Sequence, residues 1–483
     1  MSNLDVGSRE FFQGLEKSAF TNPFSDERIE ADRQMTGAPS RTSFSAVLNA
    51  LLQEIDRRLD ALTPFRIPDF PAEERDSLTI GLLFQQYHRC MPKFDALIEE
   101  QVAAGDESCA APFAAEAFNV LVGHGIPRGE AARYIAIFYQ LRRAFYFISR
   151  SLIGESDCMK QLRRRLWDNI FTHDIRWYVR CLWNRMEDFS TLLLGETGTG
   201  KGAAAFSIGR SGFIPFNPST QKFGESFTRA FTAINLSQYP EALIESELFG
   251  HRKGAFTGAV EKHDGVFARC SPHGAIFLDE IGEVGEPVQI KLLQVLQQRT
   301  FSPVGSHEQQ RFEGRVIAAT NKSIPDLRRE GKFRDDFYYR LCSDQIVVPP
   351  LRQRIREKVS ELELLVGHIL KRMSGEHSEG LMDPVMSVLK TGFGRGYGWP
   401  GNVRELEQAV RRILLTGSYD GDEVSVPQSA GTDLMAAIDS GSLTVKELTA
   451  EYCKRLYART NSYGDVARIT GLDWRTVKKH VRE

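Results

Sequence analysis

The sequence has no long apolar run and no recognisable export signal. Its most apolar stretch, residues 134–153, contains Arg142, Arg143 and Arg150, so a membrane-spanning segment is excluded. The N-terminal letters MSNLDVGSREFF lack the charged-then-apolar pattern of a secretory signal.

Cysteine and net charge are also scarce. The seven cysteines are scattered and never form C-x-x-C, so neither a disulfide framework nor a zinc ribbon is expected, and a cytoplasmic location fits. The formal net charge is −2. Because the chain as a whole is not basic, any contact with DNA has to come from a local patch.

What remains is a globular composition, 42% hydrophobic and 26% charged over 483 residues, which predicts several domains. Residues 1–42 lack sustained periodicity and are predicted to include a flexible arm. Apolar residues recur at helical spacing in 43–62, 82–98 and 135–152. We therefore predict a mostly α-helical N-terminal domain over residues 1–150.

The pattern then changes to short apolar strands that alternate with helices, as in a parallel α/β sheet. The candidate strands are Thr191–Leu194, Ala275–Leu278, Val316–Ala319 and Gln345–Val348. The predicted domains that follow the first are an α/β subdomain (151–355), a helical lid (356–417), a linker (418–441) and a final helical unit (442–483).

A phosphate-binding loop follows the first of these strands. The spacing G-x-x-x-x-G-K allows backbone N–H groups to surround phosphate oxygens while the lysine adds a point charge. The candidate nucleotide-binding residues are Gly195, Glu196, Thr197, Gly198, Thr199, Gly200, Lys201 and Gly202. Gly202 departs from the Ser or Thr that usually helps to hold Mg²⁺.

Two adjacent acids, Asp279 and Glu280, end the strand that begins at Ala275. Ligands bind where the strands of a parallel sheet end. Asp279 is therefore a candidate Mg²⁺ ligand, and Glu280 a candidate for orienting the attacking water. Together with the loop, they predict hydrolysis of ATP or GTP.

Between these motifs lies a six-residue sequence, GAFTGA, with ELFGH upstream of it. It consists of Gly254, Ala255, Phe256, Thr257, Gly258 and Ala259. This segment resembles the AAA+ activators of sigma-54 RNA polymerase, the bacterial enhancer-binding proteins, closely over about residues 153–417. Further matching motifs are Phe277–Gly282, Val316–Asn321, Phe333–Leu341, Pro349–Arg352 and Trp399–Leu406.

The resemblance implies an α/β AAA+ core with a helical lid, ATP and Mg²⁺ as cofactors, and a role for each matching residue. Asn235 would be the switch that holds Glu280, and Thr320 and Asn321 would sense the γ-phosphate. Arg404 would be a second sensor from the lid. These residues have plainer alternatives, since Asn235 could form a turn and Arg404 an interdomain salt bridge.

Arg334 and Arg340 resemble arginine fingers that act on the ATP of a neighbouring subunit. Such fingers require a closed ring, in this family a hexamer. The alternative is that both are surface charges paired with Asp335 and Asp336. The six GAFTGA residues would contact sigma-54, with Phe256 as the large apolar group of a mobile tip.

Relatives usually carry Glu at the position of Gly202, which puts the catalytic rate and the metal affinity in question. The segment 211–227 is longer than in relatives and is predicted to be a surface loop or a subunit contact.

The C-terminal unit resembles the Fis-type helix-turn-helix that ends many enhancer-binding proteins. Thr444–Glu447 is a capping box, and Asp473 would cap the last helix. Residues 444–483 contain nine Lys and Arg against five Asp and Glu. The candidate DNA-binding residues are Arg475, Thr476, Lys478, Lys479 and His480. Trp474 is expected to pack or to touch the DNA backbone, and a helical dimerisation hairpin is the alternative.

These observations predict a bacterial transcription activator that binds upstream DNA and uses ATP to remodel the closed complex of sigma-54 RNA polymerase into an open one. The alternative is an AAA+ remodelling ATPase with another protein or DNA target. A DNA-binding repressor that uses the nucleotide only as a ligand is disfavoured by Asp279, Glu280 and the two candidate fingers. Residues 1–150 would be a regulatory domain that responds to a ligand or a partner protein.

Overall fold

A computed structural model of the protein describes residues 3–392, 397–419, 421, 444–460 and 462–482. The chain divides into two compact units, Met1–Gly417 and Ser418–Glu483. Most of the predicted linker 418–441 lies outside the described residues. Among the described residues, no helix combines the length and the apolar character needed to span a bilayer.

The first unit begins with six helices. They are α1 Val6–Phe20, α2 Asp26–Thr36, α3 Phe44–Leu62, α4 Ala72–Ala104, α5 Pro112–Gly123 and α6 Arg128–Ser151. The mostly helical N-terminal region is thus confirmed. The predicted stretch 43–62 agrees with α3. The other two predicted stretches were too narrow, mainly for α4, where polar residues such as Gln85 and Gln101 are buried and hide the apolar stripe.

The prediction of a flexible arm before residue 43 was wrong. The side chain of Asp5 accepts a hydrogen bond from Ser8 N (2.9 Å) and caps α1. Phe12 and Leu15 are fully buried in the core that α3 and α4 also line. These two residues lie one turn apart and, with Phe11 and Ala19 packed beside them, dock the helix on that core.

A five-stranded sheet forms the centre of the first unit, with strand order β4-β5-β8-β1-β9 and all neighbours parallel. Its strands are β1 Thr191–Leu194, β4 Phe231–Asn235, β5 Ala275–Asp279, β8 Arg315–Thr320 and β9 Asp344–Val347. Two short antiparallel hairpins pair β2 Phe216–Asn217 with β3 Lys222–Phe223, and β6 Thr300–Phe301 with β7 Gln310–Arg311. The predicted parallel α/β sheet is confirmed, with β4 as an additional strand.

Helices cover the sheet and continue into the predicted lid. Those around the sheet are α7 Asp157–Phe171, α8 Ile175–Trp177, α9 Lys201–Gly209, α10 Glu241–Phe249, α11 Val266–Arg269, α12 Glu286–Gln298, α13 Ile324–Arg329 and α14 Asp335–Leu341. Those that follow are α15 Leu351–Glu357, α16 Ser360–Ser374, α17 Glu379–Gly392 and α18 Asn402–Thr416.

The predicted surface loop 211–227 is instead packed against the N-terminal helices. It forms the β2–β3 hairpin, and Phe216, Phe223 and Phe227 are buried in the same core as α4, α5 and α6. Ala111 N donates to Gln221 O at 2.7 Å. The turn-forming letters of the segment suggested exposure, but its three aromatic side chains supply enough apolar area to bury it.

Helix α6 also holds the C-terminal end of α9. The buried guanidinium of Arg143 donates to Arg210 O and Gly212 O, each at 2.6 Å, and lies 4.6 Å from the centre of the Tyr139 ring. Gln140 donates to Ser211 O at 2.8 Å. A cation at the C-terminal end of a helix satisfies carbonyls that have no partner within the helix.

The second unit contains three mutually packed helices, α19 Val445–Thr460, α20 Tyr463–Thr470 and α21 Trp474–Arg482. Its small core comprises Cys453, Leu456, Val466 and Val477. The predicted capping box is present, because Thr444 N and Oγ1 donate to Glu447 Oε2 at 2.9 and 2.7 Å.

Candidate functional site

The phosphate loop connects β1 to the N-terminus of α9, and glycine is required at two of its positions. Gly198 has φ +78°, and a Cβ there would lie 2.2 Å from Gly401 O. Gly200 has φ +108° and faces open space. The first N–H groups of α9 have no acceptor within the helix, so this open side of the loop is suited to an anion.

Lys201 is buried in this loop beside the two acids predicted from the sequence. Its Nζ donates to Gly195 O (2.8 Å) and Glu196 O (3.1 Å). Burial lowers the pKa of Lys201, while Glu280 and Asp279 oppose that shift. Burial also raises the pKa of Asp279, which Lys201 and Arg404 oppose. The charges that the phosphate chemistry needs therefore lie at one end of the sheet.

The start of α18 is tied directly to the phosphate loop. Asn402 Nδ2 donates to Thr197 O (3.0 Å) and Glu196 Oε2 (3.2 Å), and Asn402 Oδ1 accepts from Leu351 N (2.8 Å). Asn402 is fully buried with φ +54°, a conformation that Asn tolerates better than most residues. The lid thus fixes the loop's shape through one amide side chain.

Arg352 completes this connection from the N-terminus of α15. Its guanidinium donates hydrogen bonds to both oxygens of the Glu196 carboxylate, and the bond to Oε2 is 2.6 Å long. These bonds lower the pKa of Glu196. Arg352 and Asn402 both lie in sequence motifs that match the family, but the motifs did not indicate a role for either residue. A polar Asn directly after Pro-Gly, before a helix, was the available signal.

The predicted sensor residues lie at the end of β8 and reach the loop. Asn321 Nδ2 donates to Thr197 Oγ1 at 2.9 Å, and Asn321 N lies 3.4 Å from Glu280 Oε2. Thr320 is buried, with Oγ1 accepting from Lys322 N at 3.1 Å. Glu280 itself has φ +56°, a strained backbone for this residue type that is often found at functional sites.

Asn235 ends β4 beside Asp279 in the sheet register. Its Oδ1 accepts hydrogen bonds from Ser237 N (3.0 Å) and Ser237 Oγ (2.7 Å), as a turn former does. Among the described contacts, it has no hydrogen bond with Glu280, so its role as a switch stays a prediction. Arg404 lies on the exposed side of α18, close enough to affect the pKa values of Lys201 and Asp279.

The two candidate fingers lie at α14, and in the single chain both have local partners. Arg334 pairs with Glu286 (2.6 Å) and Asp336 (2.9 Å), and these acids raise its pKa. Arg340 Nε donates to Leu296 O at 2.9 Å. Their action on a neighbouring subunit stays a prediction. The acid at 335 pairs with Arg328.

The GAFTGA loop is closed on itself by Gly254 N donating to Ala259 O at 2.8 Å. Gly254 (φ +80°) and Gly258 (φ +103°) have positive φ and face open space. Phe256 is 38% exposed, and its ring rests on His251 with centroids 4.9 Å apart. The loop therefore presents one large apolar side chain on a short glycine-flanked turn.

The residues present fit a nucleotide with its metal. The loop offers open anion-binding backbone and a buried lysine, and Asp279 offers a carboxylate on the same side. Within the described residues, no cluster of three or more His, Cys, Asp or Glu side chains could hold a metal ion. A magnesium ion here would therefore depend on oxygens of the nucleotide and water in addition to Asp279.

The last helix of the second unit carries the candidate DNA-binding residues. Asp473 caps α21, with Oδ1 accepting from Arg475 N at 2.8 Å, as predicted. Val477 is buried in the small core, while Arg475, Thr476 and Lys479 lie on the exposed side. Lys478 and His480 are half-buried, and Trp474 is 49% exposed beside Arg475 and Lys478.

Comparison with known families agrees with this arrangement. Residues 179–347 match the sigma-54 interaction domain, and residues 356–428 match an AAA+ ATPase lid domain. This chain contains a sigma-54 interaction domain followed by an AAA+ lid domain. The fold class predicted from the sequence, an α/β AAA+ core with a helical lid, is thereby confirmed.

Among the curated relatives of this chain, the regulatory protein AtoC of Escherichia coli is 40% identical over 47% of this chain and 46% of its own length. The Nif-specific regulatory protein of Azotobacter vinelandii is 34% identical over 70% of this chain and 60% of its own. The chain thus spans about half the length of several curated relatives it matches. A crystal structure of NtrX from Brucella abortus with ATP matches at 22% identity, TM-score 0.41, covering 73% of this chain and 75% of that one.

Proposed function

We propose that this protein is a transcription activator that hydrolyses ATP and thereby remodels the sigma-54 RNA polymerase closed complex into an open complex. The observation that carries the proposal is the combination in one unit of the buried Lys201, with the half-buried acids Asp279 and Glu280 beside it, and an exposed GAFTGA loop. The first suits phosphoryl chemistry, and the second has no group suited to it.

In this proposal, Lys201 and the backbone of residues 195–202 bind the phosphates of ATP. Asp279 helps to hold Mg²⁺, which would supply charge neutralisation to the phosphates when bound. Glu280 orients the attacking water, with Thr320 and Asn321 beside it to sense the γ-phosphate. Arg404 contributes positive charge from the lid, and Asn235 acts as the switch on Glu280.

A ring, a hexamer as the resemblance to the sigma-54 activators implies, would complete the site. Lys201 and Arg404 are the cations next to Asp279 in the single chain, and further positive charge would have to come from Arg334 and Arg340 of a neighbour. To act there, Arg334 has to leave Glu286 and Asp336. In both ion pairs the side chains are more than a third exposed, so little free energy is needed for Arg334 to leave these acids.

DNA binding is assigned to the second unit as a Fis-type helix-turn-helix. Helix α21 would enter the major groove with Arg475, Thr476, Lys478, Lys479 and His480. The local excess of positive charge in residues 444–483 supports this, against a chain of net charge −2. Cytoplasmic location follows from the same proposal, since RNA polymerase and DNA are the partners. The helical block 1–150 is proposed to regulate the ATPase.

The GAFTGA loop provides the test that separates this function from any other remodelling ATPase. Phe256→Ala removes the exposed ring, and Thr257→Ala removes the loop's side-chain hydroxyl. Neither residue contacts the phosphate loop in the described structure. We expect both variants to keep ATPase activity within about twofold of wild type but to lose binding to sigma-54 in the presence of ADP and aluminium fluoride, and to lose open-complex formation.

Val260→Ala is the matched control, since Val260 is more exposed than Phe256 but lies just beyond the GAFTGA residues. It should retain promoter opening. Promoter opening by both Phe256→Ala and Thr257→Ala would remove sigma-54 as the target while leaving the ATPase proposal intact.

A further inference from the structure

A cavity of about 870 Å³ lies within the N-terminal helices and extends to the segment that precedes the sheet. Its volume is in the range of small-molecule sites, roughly 300–1,000 Å³. The walls come from α1, α2, α3, α4, α6 and α7, and from residues 174–180. The nucleotide site and the GAFTGA loop contribute no side chain to it.

Aromatic side chains dominate these walls. On one side, the ring of Phe24 stacks on Phe145 with centroids 5.2 Å apart and meets Trp167 edge-on at 6.0 Å. On the other, Tyr87 and His88 of α4 line the cavity and are half-buried. Such walls favour a ligand that is itself largely apolar, with rings that can stack.

Three of the four arginines on the walls already pair with carboxylates of the protein, Arg176 with Asp174 at 2.7 Å among them, and the fourth, Arg180, is exposed. Arg28 pairs with buried Asp32 at 3.0 Å. Arg142 pairs with Asp95 through two contacts of 2.6 Å. Neither guanidinium is therefore left to attract an anion, and a charged ligand would lose its hydration without a partner.

His88 is a wall group that keeps unused hydrogen-bonding capacity among the contacts described. Its Nδ1 lies 2.8 Å from Phe84 O and must donate to it, because a carbonyl only accepts. Burial lowers the pKa of His88 to about 3, so the ring is neutral and Nε2 is an acceptor. A ligand with one hydroxyl or N–H group can use this atom.

The cavity is connected to the end of α9 by a short series of hydrogen bonds. Trp177, Val179 and Arg180 line the cavity. Tyr178, between Trp177 and Val179 in the sequence, is buried, and its hydroxyl donates to Gln140 Oε1 at 2.7 Å. Gln140 in turn donates to Ser211 O, just after the helix that begins at Lys201.

We propose that this cavity binds a neutral, largely aromatic small molecule that donates one hydrogen bond to His88 Nε2, and that occupancy acts on the phosphate loop through Tyr178, Gln140 and α9. The binding site stands without the proposed function, whereas the effect on the phosphate loop rests on the proposed ATPase. A neighbouring polar groove shares Glu16, Phe20, Thr21, Asp174 and Arg176 with the cavity.

Binding is tested on the full chain with Nile red, a neutral apolar dye that fluoresces in apolar sites. We expect saturable binding, displaced by 2-naphthol at least tenfold more effectively than by 2-naphthoate, with naphthalene between them. Leu83→Trp fills the cavity from α4 and should abolish dye binding. Val102→Trp, at an exposed position of the same helix, is the matched control. Thermal unfolding of both variants checks that they fold.

His88→Phe keeps the ring but removes the acceptor, so it should weaken 2-naphthol about tenfold and leave naphthalene unchanged. The coupling is then read as at least a twofold change in ATPase rate with 2-naphthol, lost in Tyr178→Phe while dye binding remains. Absence of saturable binding, equal loss in Val102→Trp, or preference for 2-naphthoate would overturn the site. Binding without any change in a measurable ATPase rate would overturn the coupling alone, and an inactive ATPase would instead count against the proposed function.

Discussion

Asn402 makes a quantitative claim possible about how the lid controls the nucleotide site. In Asn402→Asp, the acceptor for Leu351 N is retained, but both donated hydrogen bonds to the phosphate loop are lost. The new carboxylate would face Thr197 O at 3.0 Å and Glu196 Oε2 at 3.2 Å. Thr197 O is left without this donor, while Glu196 Oε2 keeps the one from Arg352. The two lost hydrogen bonds cost about 1–3 kcal/mol each, and the repulsion from Glu196 adds to this, partly offset by Arg352.

A total of about 2–6 kcal/mol acts on a loop whose shape determines phosphate affinity. If about half of it, roughly 1–3 kcal/mol, appears in binding, ATP affinity should fall about fivefold or more, since 1.4 kcal/mol is a factor of ten. Fluorescent ATP-analogue titration measures this. The matched control is Asn217→Asp, because Asn217 uses only its oxygen, which accepts from Ser219 N and Thr220 N. Unchanged ATP affinity and thermal stability in Asn402→Asp would refute the reasoning.

Three further outcomes are expected. Glu280→Gln should bind ATP normally yet lose multiple-turnover hydrolysis, because the water loses its orienting carboxylate; near-normal turnover would contradict the assignment. Unfolded His88 takes up a proton near pH 6.5 but folded His88 only near pH 3, so stability falls as pH drops through this window. Urea unfolding at pH 7 and 5 should show wild type losing about 2 kcal/mol more than His88→Phe, and equal losses would count against it. Arg143→Met should lower the free energy of unfolding by about 2–4 kcal/mol through two lost charged hydrogen bonds, whereas Arg150→Met, at an exposed pair with Glu99, should change it by less than about 1 kcal/mol.

The chemistry-bearing residues of the sheet were predictable because each one follows an apolar strand or loop motif. Lys201, Asp279 and Asn321 all lie where parallel strands end, so sequence order alone brings them to one edge. Asn402 and Arg352 were not predictable as a clamp, because their partners are loop carbonyls and a carboxylate more than 150 residues away. Such contacts have no local pattern.

The packing of the N-terminal region was less predictable for a different reason. Phe12 and Leu15 lie in a polar context, and the aromatic residues of 211–227 lie among turn formers. In both cases burial depends on a distant surface rather than on local periodicity. The cavity, likewise, has walls from six helices and no motif that would reveal it. In the apolar stripe of α6, the charged Arg143 was the one local sign of the contact between α6 and the end of α9.

The docking of the 211–227 hairpin changes how this protein can be taken apart. Cutting the chain near residue 150 would strip Phe216, Phe223 and Phe227 of their covering and leave the carbonyls after α9 without Arg143. A truncated ATPase core would then expose an apolar surface, and the helix that follows its phosphate loop would be less firmly held. Altered assembly or turnover of such a core would therefore reflect loss of structure rather than loss of regulation. A chimera with another activator's N-terminal region would need residues 211–227 to travel with that region. The N-terminal helices therefore share a core with a hairpin that lies some seventy residues beyond the apparent boundary in the sequence.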